Sequence, residues 1–325
     1  MDFQDDGNGL PQPSFLGRSA SRRVKDRLET GVSTVRYDSR LDEAVPEYQT
    51  FEQKIEAAVQ LCKSKSKTAS KAKKMQARLE SELRWVRCLR EVQTYFGLRE
   101  DSPEEQLGEG QDQEKPPWKP DEPAPHTIAH EPIFISIDIE SNERCHTQVT
   151  EIGISVLDTR DLSGIPPGPD ASNWTSRIRS RHLRVREYAH VVNHDFVAGC
   201  PDRFEFGKSE WFSREEVPVL VQEYIMHLAS GGDAQRNLVL VGHSPSADIR
   251  YLQAMKVPVF KAIKEKSVFL DTVDTAEIYR VSRQETNPRS LAGVLGKLGV
   301  TAWNLHNAGN DARYTLQAMT MLAVG

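Results

Sequence analysis

Asp138 and Glu140 stand two apart in an apolar string, Ile135-Ser-Ile-Asp-Ile-Glu140. A third acid, Asp248, follows in Val241-Gly-His-Ser-Pro-Ser-Ala-Asp248, and His306-Asn-Ala-Gly-Asn-Asp-Ala312 adds His306 and Asp311. Four carboxylates brought to one place repel each other and need a compensating charge. Hard oxygen ligands suit Mg²⁺ or Mn²⁺. A histidine, with an ordinary pKa of about 6.5, is the natural proton acceptor beside them. This is the outline of a two-metal phosphodiesterase site, with ions about 3.5–4 Å apart.

Each residue also has a plainer reading. Side chains two apart in a strand leave the same face, so Asp138 and Glu140 also suit the wetted face of an edge strand. Asp248 falls in the first turn of a predicted helix, where the helix dipole favours an acid anyway. Ser244-Pro245-Ser246 reads as an N-cap followed by proline. His243 reads either as a substrate contact or as a structural histidine at a strand end. His306 also fits an exposed loop. Gly309, two residues before Asp311, predicts a mobile loop that leaves His306 free to swing while Asp311 is anchored.

The elements that must position these residues occupy 131–325. Pro132–Ile139 reads as a buried strand, Gln148–Leu157 as its partner and Ser176–Tyr188 as a third. A helix is predicted over Glu215–Leu228, a strand over Asn237–Gly242 and a helix over Ser246–Met255. Another strand begins at Val268, with helices near Ala276–Val281, Ser290–Leu298 and Asp311–Leu322. Strands followed by alternating strands and helices predict an α/β domain, a mixed sheet flanked by helices.

The rest of the chain has a different composition. Residues 1–46 are rich in Gly, Pro, Ser and charge without periodicity, which predicts a disordered tail. Residues 47–100 carry helical spacing, with Met75, Leu79, Leu83, Val86 and Leu89 in one stripe. Thr50–Glu100 holds 12 Lys/Arg against 6 Asp/Glu, so this basic helical arm suits either phosphate contact or packing and self-association. Residues 101–130 form a linker with six prolines and eight acids against two lysines. The 325 residues are 38 % hydrophobic and carry a net charge of −5, so no global positive field marks a nucleic-acid binder. The four cysteines show no C-x-x-C spacing and read as free thiols of a reducing compartment. No leader-like apolar segment and no membrane-length run is present, which predicts a soluble protein of cytoplasm or nucleus.

The ordered set Ile-Asp-Ile-Glu140, Thr150–Leu157, Val-Gly-His with Asp248, Leu270-Asp-Thr272, Arg289–Gly299 and His306–Ala312 is similar to the DEDDh branch of the DnaQ-like 3′–5′ exonucleases. The resemblance spans about residues 131–323 and implies a ribonuclease H-like fold. It implies that Asp138, Glu140, Asp248 and Asp311 hold two divalent ions, Mg²⁺ or Mn²⁺, with His306 as general base. Ser141, Asn142, His243 and Ser244 become candidate substrate contacts. Two positions depart from the pattern: Ser244 stands where Asn is usual, and Ala247 where a large apolar residue commonly precedes the third acid. An insertion between Asp161 and Trp211 looks like that of a poorly characterised group of fungal exonuclease-like proteins.

The function expected on this basis is a metal-dependent 3′–5′ exonuclease acting on single-stranded nucleic acid, RNA slightly ahead of DNA. The alternative is an inactive exonuclease-like module serving as an RNA-binding or protein scaffold. Arg177, Arg179 and Arg181 offer a phosphate track or a solvated face. Trp174 and Trp211 offer base stacking or core packing. The arm is the expected place for a protein partner or self-association.

Overall fold

The computed structural model describes residues 69–100, 118–231, 235–261 and 268–325. The tail expected over 1–46, the arm up to residue 68 and linker residues 101–117 lie outside the described residues. The chain divides into two compact units, residues 1–81 and 82–325. Within the described residues, α1 is Ala69–Tyr95, the boundary falls inside it, and all further elements belong to the second unit.

The second unit is built on a six-stranded mixed sheet: β1 (Ile133–Asn142), β2 (Cys145–Asp158), β3 (Arg179–Val185), β4 (Ser209–Phe212), β5 (Leu238–Gly242) and β6 (Phe269–Asp274). Their order in the sheet is β4-β3-β2-β1-β5-β6. β1 pairs antiparallel with β2 and parallel with β5, so it is a central strand and the edge-strand reading of Asp138 and Glu140 fails. β4 escapes the sequence reading: Ser209–Phe212, at the end of the insertion, pairs in parallel with β3 and forms that edge of the sheet.

Alternation along β1 divides the core. Ile133, Ile135, Ile137 and Ile139 face one side, where α3 (Glu216–Ser230) and α4 (Ser246–Ala254) bury Val217, Val221, Ile225 and Leu252. Phe134 faces the other side. There α5 (Thr275–Ser282), α6 (Leu291–Lys297) and the long α7 (Ala308–Val324) bury Ile278, Val294, Leu316 and Met319. A short α2 (Ser172–Thr175) carries Trp174 into the same layer.

From Glu82 on, α1 belongs to the unit that holds the sheet, because Cys88, Val92 and Phe96 recur every fourth residue and form one buried face. Phe96 stacks between Phe134 (4.9 Å) and Trp174 (5.1 Å). Trp174 is therefore a core residue and unavailable to stack bases. The described end of the linker is also pinned: His126 N–H donates to Gly97 O (3.0 Å) and Ala129 N–H to Thr94 O (3.3 Å). Gly97 has φ +69°, and a Cβ there would lie 2.5 Å from His126 O, so only glycine ends α1 this way.

Candidate metal centre

Asp138 and Glu140 leave β1 on the face that α7 crosses. Antiparallel register sets Asp138 opposite Gly153 and Glu140 opposite Glu151. Gly153 permits the approach of the helix: a Cβ there would sit 1.8 Å from Ala308 O and 2.6 Å from Gly309 N. The register with β2 shifts after Glu140.

Asp311 lies in the first turn of α7, capped by Asn307, whose side chain accepts from Asn310 N–H. Asp311 Oδ2 accepts the backbone N–H of His306 at 2.9 Å, while its Oδ1 is buried with no hydrogen-bond partner. The expectation of a mobile loop at Gly309 is corrected: Gly309 is inside α7, where a Cβ would meet Phe204 and His182 within 2.8 Å. The glycine serves close packing. His306 itself takes φ +66° and leaves its ring exposed. One ligand atom each from Glu140, His306 and Asp311 lie within 4.8 Å of one another.

Asp248 joins from the other side of β1. It sits in the first turn of α4, and its Oδ1 accepts Ile139 N–H at 3.1 Å, a bond that ties the helix to the strand between Asp138 and Glu140. The helix starts differently from expectation. Pro245 occupies the cap position without a side-chain bond, and Ser244 takes φ +62° with its N–H donating to Asp274 Oδ1 (2.9 Å).

The electrostatics are those of an uncompensated acidic cluster. Burial first, then the charges of Asp311, Asp248 and Glu140, hold the Asp138 carboxyl well above its ordinary range. Burial first, then the charges of Glu151, Asp311 and Asp248, push Glu140 up to about 8. Burial raises Asp248 and Asp311 each to about 7, against the backbone N–H groups that they accept. Burial lowers His306 below its ordinary value. A site that resists ionisation this strongly is short of positive charge. An orphaned, buried carboxylate oxygen on Asp311, inside a cluster of hard donors, fits a divalent cation.

The side chains of Ser141, Asn142 and His243, three of the candidate substrate contacts, have partners of their own. Ser141 Oγ bonds the Tyr251 hydroxyl at 2.8 Å. Asn142 Nδ2 donates to Gln148 Oε1 (2.7 Å) across the hairpin. Both ring nitrogens of His243 are engaged, with Thr275 Oγ1 (2.9 Å) and Arg289 O (2.8 Å). The arginine track is largely neutralised: Arg179 pairs with Asp161 (3.2 Å) and Arg181 with Glu210 (2.7 Å). Trp211 is 37 % exposed and lies under the Arg184 guanidinium. Ala247 lines an open cavity of about 690 Å³ with Arg250 and Tyr251, on the side of the sheet away from α7.

Sequence reasoning missed Glu151 and His182. Glu151, 4 % exposed, bonds the fully buried His182 Nε2 at 2.8 Å, and His182 Nδ1 bonds Ser209 Oγ at 2.9 Å. The only signal was Glu151 in an apolar strand, and its place opposite Glu140 depends on register.

A family model described as DNA polymerase III subunit epsilon-like, C-terminal domain (DEDDh_C), matches residues 133–322. An uncharacterized nucleolar protein of Schizosaccharomyces pombe is 29 % identical over 190 residues, covering 57 % of this chain and 67 % of its own length. Two Saccharomyces cerevisiae proteins are each 28 % identical. One is uncharacterized (58 % of this chain, 41 % of its own); the other is Good for full DBP5 activity protein 2 (57 % and 34 %). The chain thus spans less than half the length of both budding-yeast relatives. The matched segment holds the whole sheet and every acid of the cluster, and the chain belongs to the DEDDh exonuclease-like family.

Proposed function

We propose that this protein is a divalent-metal-dependent 3′–5′ exonuclease of single-stranded nucleic acid, with RNA favoured over DNA. The observation that carries the reading is Asp311, whose buried Oδ1 has no partner while Glu140 and His306 stand within 4.8 Å as further donors. Asp138, Glu140, Asp248 and Asp311 hold the metal ions. Bound there, Mg²⁺ or Mn²⁺ supplies charge neutralisation and Lewis acidity toward a phosphodiester.

The chain's own residues do the rest. His306, lowered by burial, is neutral at pH 7 and accepts a proton from water at a ring nitrogen. The bond from its backbone N–H to Asp311 keeps the ring beside the cluster. Asp248 fixes the strand end through Ile139 N–H and so sets the distance between the first pair of acids and α4. Ser141 and Asn142 border the end of β1 and contact the terminal nucleotide; Ser244 does so from the start of α4. The described residues contain no helix long and apolar enough to cross a membrane, and with one relative described as nucleolar a nuclear location is the reading preferred.

Single-stranded RNA and DNA, each labelled at the 3′ or 5′ end, test this when incubated with Mg²⁺, with Mn²⁺ and with chelator. Stepwise loss from the 3′ end only with metal is the expected result. No hydrolysis under any metal condition overturns the assignment as an enzyme.

A further inference from the structure

Two exposed aromatic side chains, Phe196 in the insertion and Trp303 in the loop before His306, stand on backbone that is tied to the metal centre. Residues 189–208 have no helix or strand, yet the stretch from Asn193 to Cys200 is densely bonded. At its start, Asn193 Nδ2 donates to Ser141 O (2.8 Å), and Asn193 Oδ1 accepts Glu143 N–H (3.0 Å). The Glu143 carboxylate accepts three successive backbone N–H groups, from His194 (3.1 Å), Asp195 (2.9 Å) and Phe196 (3.0 Å). Those bonds hold its pKa down to about 2. Arg144 Nε adds a bond to Asp195 Oδ2 at 2.8 Å.

The other end is tied to the histidine loop. Cys200 N–H donates to His306 O (3.3 Å), Cys200 Sγ–H to Asn304 O (3.2 Å), and Asn307 Nδ2 to Cys200 O (3.2 Å). The segment therefore runs from the residues just after Glu140 to His306 itself. At its crest Phe196 is 81 % exposed, and Val197 beside it is 40 % exposed. Trp303, next to Asn304 in the loop that leads to His306, is 65 % exposed, with its backbone N–H held by the Tyr314 hydroxyl at 3.0 Å.

A single exposed apolar residue is ordinary. Here two large aromatic rings are held out by hydrogen-bonded backbone at the two loops that meet beside the cluster. The arginines of the insertion are largely paired, as Arg179 and Arg181 show, so this rim offers π faces more than free positive charge. Every nucleobase has a π face, and stacking on aromatic side chains is the sequence-tolerant way to hold a single strand. A base paired in a duplex is already stacked and presents no free face.

We propose that Phe196 and Trp303 form a base-stacking rim that grips the bases next to the 3′ end of a single strand. This rests on the nuclease reading above and extends it to substrate selection. The full chain with Asp138→Asn, which binds without cleaving, is titrated with a short 5′-fluorescein oligouridylate in Mg²⁺, followed by anisotropy. Phe196→Ala and Trp303→Ala in that background each weaken binding about tenfold. Phe196→Tyr restores it, and the salt dependence keeps its slope because no phosphate contact is lost. In the otherwise unmodified chain, Phe196→Ala lowers the rate on oligouridylate relative to that on the p-nitrophenyl ester of thymidine 5′-phosphate, which has no upstream base.

Affinity for oligouridylate unchanged by both alanine substitutions overturns the rim, as does an absence of binding. A weaker affinity with a flatter salt slope overturns stacking in favour of charge. Failure of the unmodified chain to cleave either substrate, with the binding losses intact, removes the nuclease reading and leaves the rim standing.

Discussion

The Cβ that Gly153 lacks would sit 1.8 Å from the carbonyl oxygen of Ala308. Two segments more than 150 residues apart in the chain are thus in backbone contact at the position opposite Asp138. The first turn of α7 reaches the sheet only because β2 is bare there. Asp311 is brought to the acids of β1 by this contact.

Gly153→Ala tests it. The methyl group has to displace backbone and not a flexible side chain, so the cost is about 1–3 kcal/mol or more. Thermal unfolding should shift down by several degrees, and the metal response of the protein should weaken with it. An unchanged melting temperature and an unchanged response to Mn²⁺ would show that α7 is not set by this contact.

Asp138→Asn and Asp311→Asn should each reduce hydrolysis by about 10³-fold or more while leaving circular dichroism unchanged. Both substitutions remove a charge from a cluster that is held partly protonated without metal. The variants should therefore melt no lower than the unmodified chain in chelator. A folded Asp311→Asn protein with full activity would exclude Asp311 as a ligand.

The same cluster makes a pH prediction. Glu140, Asp248 and Asp311 have folded values of about 8, 7 and 7, raised from ordinary carboxyl values near 4. Raised acids bind protons more tightly in the folded state, so their contribution is full below about pH 4 and is lost as pH rises to about 8. In chelator, the melting temperature should fall by about 5–10 °C between pH 5 and pH 8. Mn²⁺ should recover most of that loss at pH 8 and little at pH 5, where protons compete for the ligands. Calorimetry at both pH values decides it; a metal effect of equal size at pH 5 would contradict the proton competition.

A chain beginning at Glu131 removes α1 and with it Val92 and Phe96, both fully buried. That leaves Phe134 and Trp174 facing a void, and truncation of one such aromatic costs about 3–5 kcal/mol. The shortened chain should be insoluble or melt far below a chain beginning at Glu82. Phe96→Ala in the full chain should show the single-residue part of the same loss by denaturant unfolding. Equal stability of the two truncated chains would return the helix to the role of a separable arm.

Most of the sheet and its helices were legible in the chain. Ile133 to Ile139 alternate with Phe134, Ser136 and Asp138, and this period of two sets the isoleucines on one face and both acids on the other. The helices after β5 were found from apolar spacing, and each lies within a few residues of its expected span. β4 was not found, because four residues carry too little periodicity to stand out from a loop. Gly309 was misread because glycine marks flexibility and close packing equally well; Phe204 and His182, at distant positions, decide between them.

The types and order of Asp138, Glu140, Asp248, His306 and Asp311 are properties of the sequence alone, because ligand chemistry depends on which atoms a residue carries. Their convergence is not, because it depends on pairings between strands and on how deeply a helix can settle. Register put Glu151 opposite Glu140 and Gly153 opposite Asp138. Burial, a property of the packed whole, raised the carboxyl pKa values and left Asp311 Oδ1 without a partner. The fold of the insertion likewise held Phe196 out in water beside the site. Local pattern specifies elements; only long-range contact sets distance, exposure and charge.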